Sequence, residues 1–127
     1  PDNMDGYINN SGFNLTAADQ LDFNRFVAIQ AHLRGLAVGL KNDVDQINEL
    51  VDYFDFAVNE QCYEYNECAT LIPFIINNKP VLHIEYESKY ISRPLEREKL
   101  CAPQVDRQFS TLILPLELDN EFRLSCN

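Results

Sequence analysis

Apolar positions recur along the chain in two alternating rhythms, short uninterrupted runs and longer helical spacings. Thr16-Ala17-Ala18-Asp19 has the form of a capping box, in which Thr16 accepts from a free backbone N–H and Asp19 answers. Behind it Phe23, Phe26, Val27 and Leu33 recur at roughly helical spacing, and Gly35 stops the helix. Residues 36–40 form an apolar run of strand length that ends at Lys41-Asn42-Asp43. A second helix is expected from Val44, Ile47, Leu50 and Val51, which share one side, with Asp43 or Asp45 as its cap. Residues 54–58 predict a second strand, ending at Asn59-Glu60-Gln61. Residues 68–77 predict a short helix with Pro73 near its first turn. A third strand, 81–84, starts after Lys79-Pro80 and ends at Glu85-Tyr86-Glu87, and a fourth, 110–114, runs into Pro115-Leu116-Glu117. Residues 88–107 are polar and carry no decisive period.

Strands alternating with helices predict a parallel sheet, and runs that are apolar throughout fit strands covered on both faces. The expected class is α/β, with about four βα units resembling half of a (β/α)8 barrel, which needs about 250 residues in full. Residues 1–127 then form one partial barrel domain, and a half barrel is expected to leave two open parallel edges. No G-x-G-x-x-G and no G-x-x-x-x-G-K-[ST] follows any strand, so a nucleotide phosphate has no cradle. Each strand ends in a polar cluster, and most of these clusters hold a carboxylate at the C-terminal edge, where binding and chemistry collect in parallel α/β folds. Acids there also cap helices, a role open to Asp43 and less natural for Glu60, since Gln61-Cys62 does not begin a helix.

Composition narrows the partners. The chain has 20 acids against 10 bases, a formal net charge of −10, and its lysines and arginines are scattered. Nucleic acid is therefore an unsuitable partner, whereas a cationic ligand would be attracted. No apolar run approaches the roughly 18 residues that a membrane-spanning helix needs. The chain opens Pro1-Asp2-Asn3 without a leader to read, so it is expected to be a piece of a longer or processed protein. Four cysteines, none in C-x-x-C spacing, suggest disulfides in an oxidising compartment. Of the three possible pairings, Cys62–Cys68, closing a short polar loop, and Cys101–Cys126, tying down the tail, are preferred over reduced, buried thiols. Two glycosylation sequons, Asn9-Asn10-Ser11 and Asn14-Leu15-Thr16, fit a secretory route.

The carboxylates Asp2, Asp5, Asp43, Glu60, Glu85 and Glu87, with Tyr7, Tyr63, Tyr65 and Tyr86 among them, are what a sugar-cleaving site needs. One carboxyl protonates the leaving oxygen, another attacks the anomeric carbon or activates water, and rings stack on sugar faces. The two histidines offer less: His32 falls in a helix, and His83 lies in a strand with its direction open. No G-x-S-x-G elbow supports a serine hydrolase, and no spacing specifies a metal or an organic cofactor.

The stretch Gly39-Leu40-Lys41-Asn42-Asp43, followed by Tyr53-Phe54-Asp55-Phe56-Ala57-Val58-Asn59-Glu60-Gln61-Cys62, resembles glycoside hydrolase family 114. Pro1-Asp2-Asn3-Met4-Asp5-Gly6-Tyr7, Glu85-Tyr86, residues 112–116 and Cys126 fit the same pattern, so the resemblance runs over nearly the whole chain. It implies the C-terminal half of a TIM-barrel endo-α-1,4-polygalactosaminidase that acts, without cofactor or metal, on a cationic galactosamine polymer outside the cell. It further implies that Asp2 and Glu60 are the catalytic acids, Asp2 as nucleophile and Glu60 as general acid/base. Asp5, Asn42, Asp43 and Glu85 would touch sugar, and Tyr86 would serve as a platform. A non-catalytic carbohydrate-binding protein on the same scaffold, or an inactive truncated piece, is the alternative expectation.

Overall fold

A computed structural model describes residues 1–127. Five strands form one sheet in the order β1 (Gly39–Lys41), β2 (Phe56–Glu60), β3 (Val81–Glu85), β4 (Ser110–Ile113) and β5 (Leu124–Ser125). The first four run parallel, in sequential neighbour order, and β5 pairs antiparallel with β4. Helices α1 (Ala17–His32), α2 (Ile47–Leu50), α3 (Ile72–Ile76), α4 (Ser88–Ser92) and α5 (Pro94–Asp106) separate or precede them.

Register and pleat sort the strand residues into two faces. Leu40, Ala57, Val81, His83, Thr111 and Ile113 are buried, and together with Phe54, Phe74, Phe109, Leu50 and Leu71 they fill the space between sheet and helices. Burying each of the phenylalanines contributes on the order of 3 kcal/mol. The opposite face carries Gly39, Lys41, Phe56, Val58, Glu60, Leu82, Ile84 and Leu112, all at least partly open, and lies where the inside of a barrel would be.

The Thr16–Asp19 capping box is present: Asp19 N–H donates to Thr16 Oγ1 at 3.2 Å, and Thr16 N–H to the Asp19 carboxylate at 2.9 Å. The face of α1 differs from expectation. Phe23, Phe26 and Leu33 are exposed, and the buried side is Gln20, Asn24 and Ala28. On that buried side Gln20 Nε2 donates to Asn24 Oδ1 at 2.8 Å, and Asn24 Nδ2 donates onward to Met4 O at 2.9 Å and Asp43 Oδ2 at 2.8 Å.

Other boundaries shift as well. Val38 N–H gives its bond to the Asp55 carboxylate at 2.7 Å, and Asp55 N–H donates back to Val38 O, so this pair stands outside the ladder and pairing begins at Gly39 and Phe56. His32 meets the same Asp55 carboxylate at 3.0 Å, a structural role for a helical histidine. The second helix shrinks to a 3-10 turn, Val44–Gln46, and the four residues of α2, and neither acid caps it through its side chain. The polar stretch 88–107 is helical, as α4 and α5; among α5 side chains only Leu100 and Gln104 are buried, too few to print a period.

Of the two expected open edges, β1 remains an edge of the sheet, whereas β4 is covered. β5 covers β4, and its neighbour Cys126 is bonded to Cys101 of α5. Beyond β1, the opening segment makes one backbone bond, from Met4 N–H to Lys41 O at 3.0 Å. The second disulfide is Cys62–Cys68, and both pairings are those expected. No helix is long and apolar enough to cross a membrane.

Candidate active site

The open face of the sheet ends in a polar network built on β1 and β2. Lys41 and Glu60 are the last residues of these strands, and Lys41 lies in register with Val58, so both side chains point to the same face. Lys41 Nζ reaches Glu60 Oε2 at 2.5 Å, Asp2 Oδ1 at 3.0 Å and Asn3 Oδ1 at 3.1 Å, which uses all three ammonium protons. Two carboxylate oxygens on one nitrogen, at 3.0 and 2.5 Å, stand no more than 5.5 Å from each other. Asp2 and Glu60 are thus brought together, although Asp2 is the second residue of the chain and its side chain is 80% exposed.

Tyr86, two residues past Ile84 and on the same face, donates its hydroxyl to Glu60 Oε1 at 2.6 Å. Burial alone would raise the pKa of Glu60, but the bonds from Lys41 and Tyr86 and the Lys41 charge outweigh it and hold the carboxyl below its usual value. The hydrogen bond and charge of Lys41 likewise lower Asp2. Both carboxylates are therefore ionised in the free site. Asn42 completes the frame: its Oδ1 accepts from Glu60 N–H at 3.1 Å, and its Nδ2 donates to Asn3 Oδ1 at 2.9 Å.

Beside this network opens a cavity of about 350 Å³ lined by Asn3, Asp5, Tyr7, Ile8, Asn42, Asp43, Val44, Asp45, Glu60, Gln61, Tyr65 and Glu67. Five carboxylates face it and no basic side chain lines it. The β1 and β2 ends turn into it through left-handed backbone at Asn42 (φ 58°), Asp43 (φ 49°) and Gln61 (φ 64°). Asn and Asp adopt that conformation readily, whereas for Gln61 it is uncommon. Asp43 is 2% exposed, and its pKa is raised to about 7 by burial first and by the nearby Asp5 next. Burial, with help from Asp45, raises Glu67 as well.

Of the residues expected to touch sugar, Asp5, Asn42 and Asp43 line the cavity. Glu85 does not join them, which corrects that expectation. It sits on the helix-facing side of β3, fully buried, where its Oε1 accepts from Tyr63 N–H at 2.8 Å and meets His83 Nε2 at 2.9 Å. One residue of strand parity separates it from the Glu60 face. His83 Nδ1 meets Thr111 Oγ1 at 3.1 Å, so this histidine is a satisfied core group. Tyr86 is 9% exposed and engages the site through its hydroxyl rather than as an open platform. Glu87 lies apart, ion-paired with Lys89.

The sequence reading missed Lys41, Asn3, Asp45 and Glu67 as site residues. Lys41 carried a usable signal: it is the one basic residue among the acids at the strand ends, at the parity that faces Glu60. One set of metal-ligand side chains converges, Cys62, Cys68 and His83, but both sulfurs are spent in a disulfide.

Fold and site define a partial α/β barrel with two neighbouring carboxylates at one end of its sheet. The chain belongs to glycoside-hydrolase family GH114, whose model matches residues 1–127. It is similar over 99% of its length, with 38% identity and a TM-score of 0.87, to the crystal structure of Aspergillus fumigatus Ega3 in complex with galactosamine. It spans 52% of that chain, about half of a barrel. No protein of curated function matches it.

Proposed function

We propose that the protein containing this chain is an extracellular hydrolase that cleaves α-1,4-linked galactosamine polysaccharide within the chain, with Asp2 as nucleophile and Glu60 as general acid/base. The observation that carries this reading is the shared Lys41 ammonium, which holds the nearest oxygens of the two carboxylates within 5.5 Å. Retaining glycosidases keep their carboxyl groups about 5–5.5 Å apart, and inverting ones about 6.5–9.5 Å to admit a water, so the spacing favours retention through a glycosyl-enzyme intermediate.

In such a reaction Asp2, ionised and exposed, attacks the anomeric carbon, while Glu60, ionised in the free site, first takes up a proton from solvent and then gives it to the departing sugar oxygen. Glu60 then takes a proton from the water that releases the product. The acid-lined cavity supports a cationic substrate, because field lines from several carboxylates concentrate there. Family membership and the galactosamine held by Ega3 support an amino-sugar polymer. Two disulfides and the sequons support an oxidising, extracellular setting.

The test is the full-length protein with Glu60→Gln, assayed for shortening of galactosamine polymer by size-exclusion chromatography. An amide cannot donate a proton as a carboxylic acid does, so turnover is expected to fall by ~10²- to 10⁴-fold. Near-wild-type turnover overturns the assignment, and binding without shortening by the wild type would make the protein a lectin-like one.

A further inference from the structure

We infer that Asn14 is an acceptor for an N-linked glycan, carried on the loop that joins the opening segment to α1. The inference rests on the extracellular setting proposed above and adds a covalent modification to that surface.

Asn14-Leu15-Thr16 meets the residue requirement, a hydroxyl two places after the asparagine and no proline between. A sequon becomes a site only where the folded chain can carry a bulky group. Residues 9–16 form no helix or strand, and every one of them is exposed. Asparagines elsewhere in the chain have a visible local task. Asn24, Asn42 and Asn59 bond through their side chains, and Asn66, Asn78 and Asn120 hold left-handed backbone. Asn14 does neither, so its amide nitrogen can be substituted without breaking a contact.

The residues around it point the same way. Phe13 is 79% exposed, and Leu15 and the preceding Ile8 are exposed as well. Large apolar side chains on an open loop invite association and proteolysis, and a hydrophilic glycan rooted between Phe13 and Leu15 would shield them. The other sequon, Asn9-Asn10-Ser11, is a poorer root, because Asn9 directly follows Ile8, which lines the cavity, and a glycan there would stand at its rim. Asn14 lies five residues further on, two before the start of the α1 cap.

Thr16 has two uses in this account. Its hydroxyl donates to the Asp19 carboxylate at 2.6 Å and accepts from Asp19 N–H, so in the folded chain it is committed to capping α1. Transfer therefore precedes the closing of that cap. The sugar donor is a lipid-diphosphate-linked oligosaccharide. The bond from Asn14 Nδ2 to the sugar C1 forms, the C1–O bond to the diphosphate breaks, the lipid diphosphate leaves and the amide gives up one proton. Nothing is oxidised or reduced.

The experiment expresses the full-length protein in a eukaryotic secretory host, once with its own N-terminus and once behind a foreign secretion leader. Enzymatic release of N-glycans in heavy-oxygen water, followed by peptide mass spectrometry, reads each asparagine. Asn14 is expected to carry a glycan in both, and Asn14→Gln and Thr16→Asn are each expected to lose it. Thr16→Asn keeps a good helix cap, so loss of the glycan with unchanged cooperative melting assigns the effect to the sequon rather than to misfolding. A glycan on Asn14 only behind the foreign leader supports the acceptor and overturns the extracellular setting. An unmodified Asn14 behind the foreign leader, whatever Asn9 carries, overturns the inference. Chymotryptic cleavage after Phe13 is expected to be several-fold faster in Asn14→Gln than in the glycosylated protein, and equal cleavage overturns the shielding.

Discussion

Replacing Lys41 with methionine removes the ammonium that joins Asp2 to Glu60 and keeps most of the side-chain volume. Its contact with Glu60 is the substantial one: the Lys41 side chain is 12% exposed and that of Glu60 29%, and the two meet at 2.5 Å. A hydrogen bond between charged partners of this kind contributes about 1.5–3 kcal/mol. The Asp2 contact is open to solvent and screened, and adds direction rather than energy. Without Lys41, Asp2 loses its main anchor, and misplacement of a reacting group by about 1 Å costs about 10²-fold in rate. Lys41→Met in the full-length enzyme is therefore expected to lower kcat/KM ~10- to 100-fold. The pH profile gives the sharper reading. Lys41 lowers the pKa of both carboxyls. The nucleophile must be ionised, so raising its pKa moves the acid limb up. The general acid must be protonated, so raising its pKa moves the alkaline limb up as well. Both limbs are expected to shift to higher pH in Lys41→Met and to stay in place in Lys41→Arg, which keeps the charge. Limbs that do not move in Lys41→Met would refute the reasoning, whatever happens to the rate.

Three further outcomes follow from the packing and electrostatics. A Cβ at Gly39 would lie 2.3 Å from the Phe56 ring, so Gly39→Ala must displace that ring and is expected to cost about 1–3 kcal/mol in thermal or denaturant unfolding. Cys101–Cys126 closes a loop with a sequence separation of 25, and its loss in Cys101→Ser/Cys126→Ser is expected to remove about 3 kcal/mol and to loosen β5, read by hydrogen exchange at Leu124 and Ser125. Asp43 has a folded pKa of about 7 against 3.8 for the free side chain, so between these values the folded state binds more protons and stability falls as pH rises. Asp43→Asn is expected to be more stable than wild type at pH 8, by at most roughly 4 kcal/mol, and nearly equal to it at pH 4; equal melting temperatures at both pH values would contradict the burial of that charge.

How far the sequence could be read depended on which residues do the packing. Residues 54–58 and 81–84 were legible as strands because each is a short apolar run that ends in a polar cluster, and the Thr16–Asp19 box marked a helix start by local bonding alone. α5 was not legible, since it buries little beyond Leu100 and contains Pro94 and Pro103. α1 was legible as a helix, but its inner face was misread, because the buried positions include Gln20 and Asn24, and Asn24 meets Asp43, nineteen residues beyond it. β5 is too short to announce itself. At the site, the acids at the strand ends were found from position. The parity that sends Glu60 to one face and Glu85 to the other depends on where β3 pairs with β2, which the run 81–84 does not fix. Lys41 was passed over because a base at a strand end reads as surface charge until Asp2 is brought to it.

The most direct measurement is the anomeric configuration of the first product. The full-length enzyme is mixed with galactosamine oligomers, and the new reducing end is followed by proton NMR before mutarotation. The nearest oxygens of the two carboxylates lie within 5.5 Å, the spacing of retaining enzymes, so the α-anomer is expected to appear first. Initial release of the β-anomer would contradict the paired roles of Asp2 and Glu60.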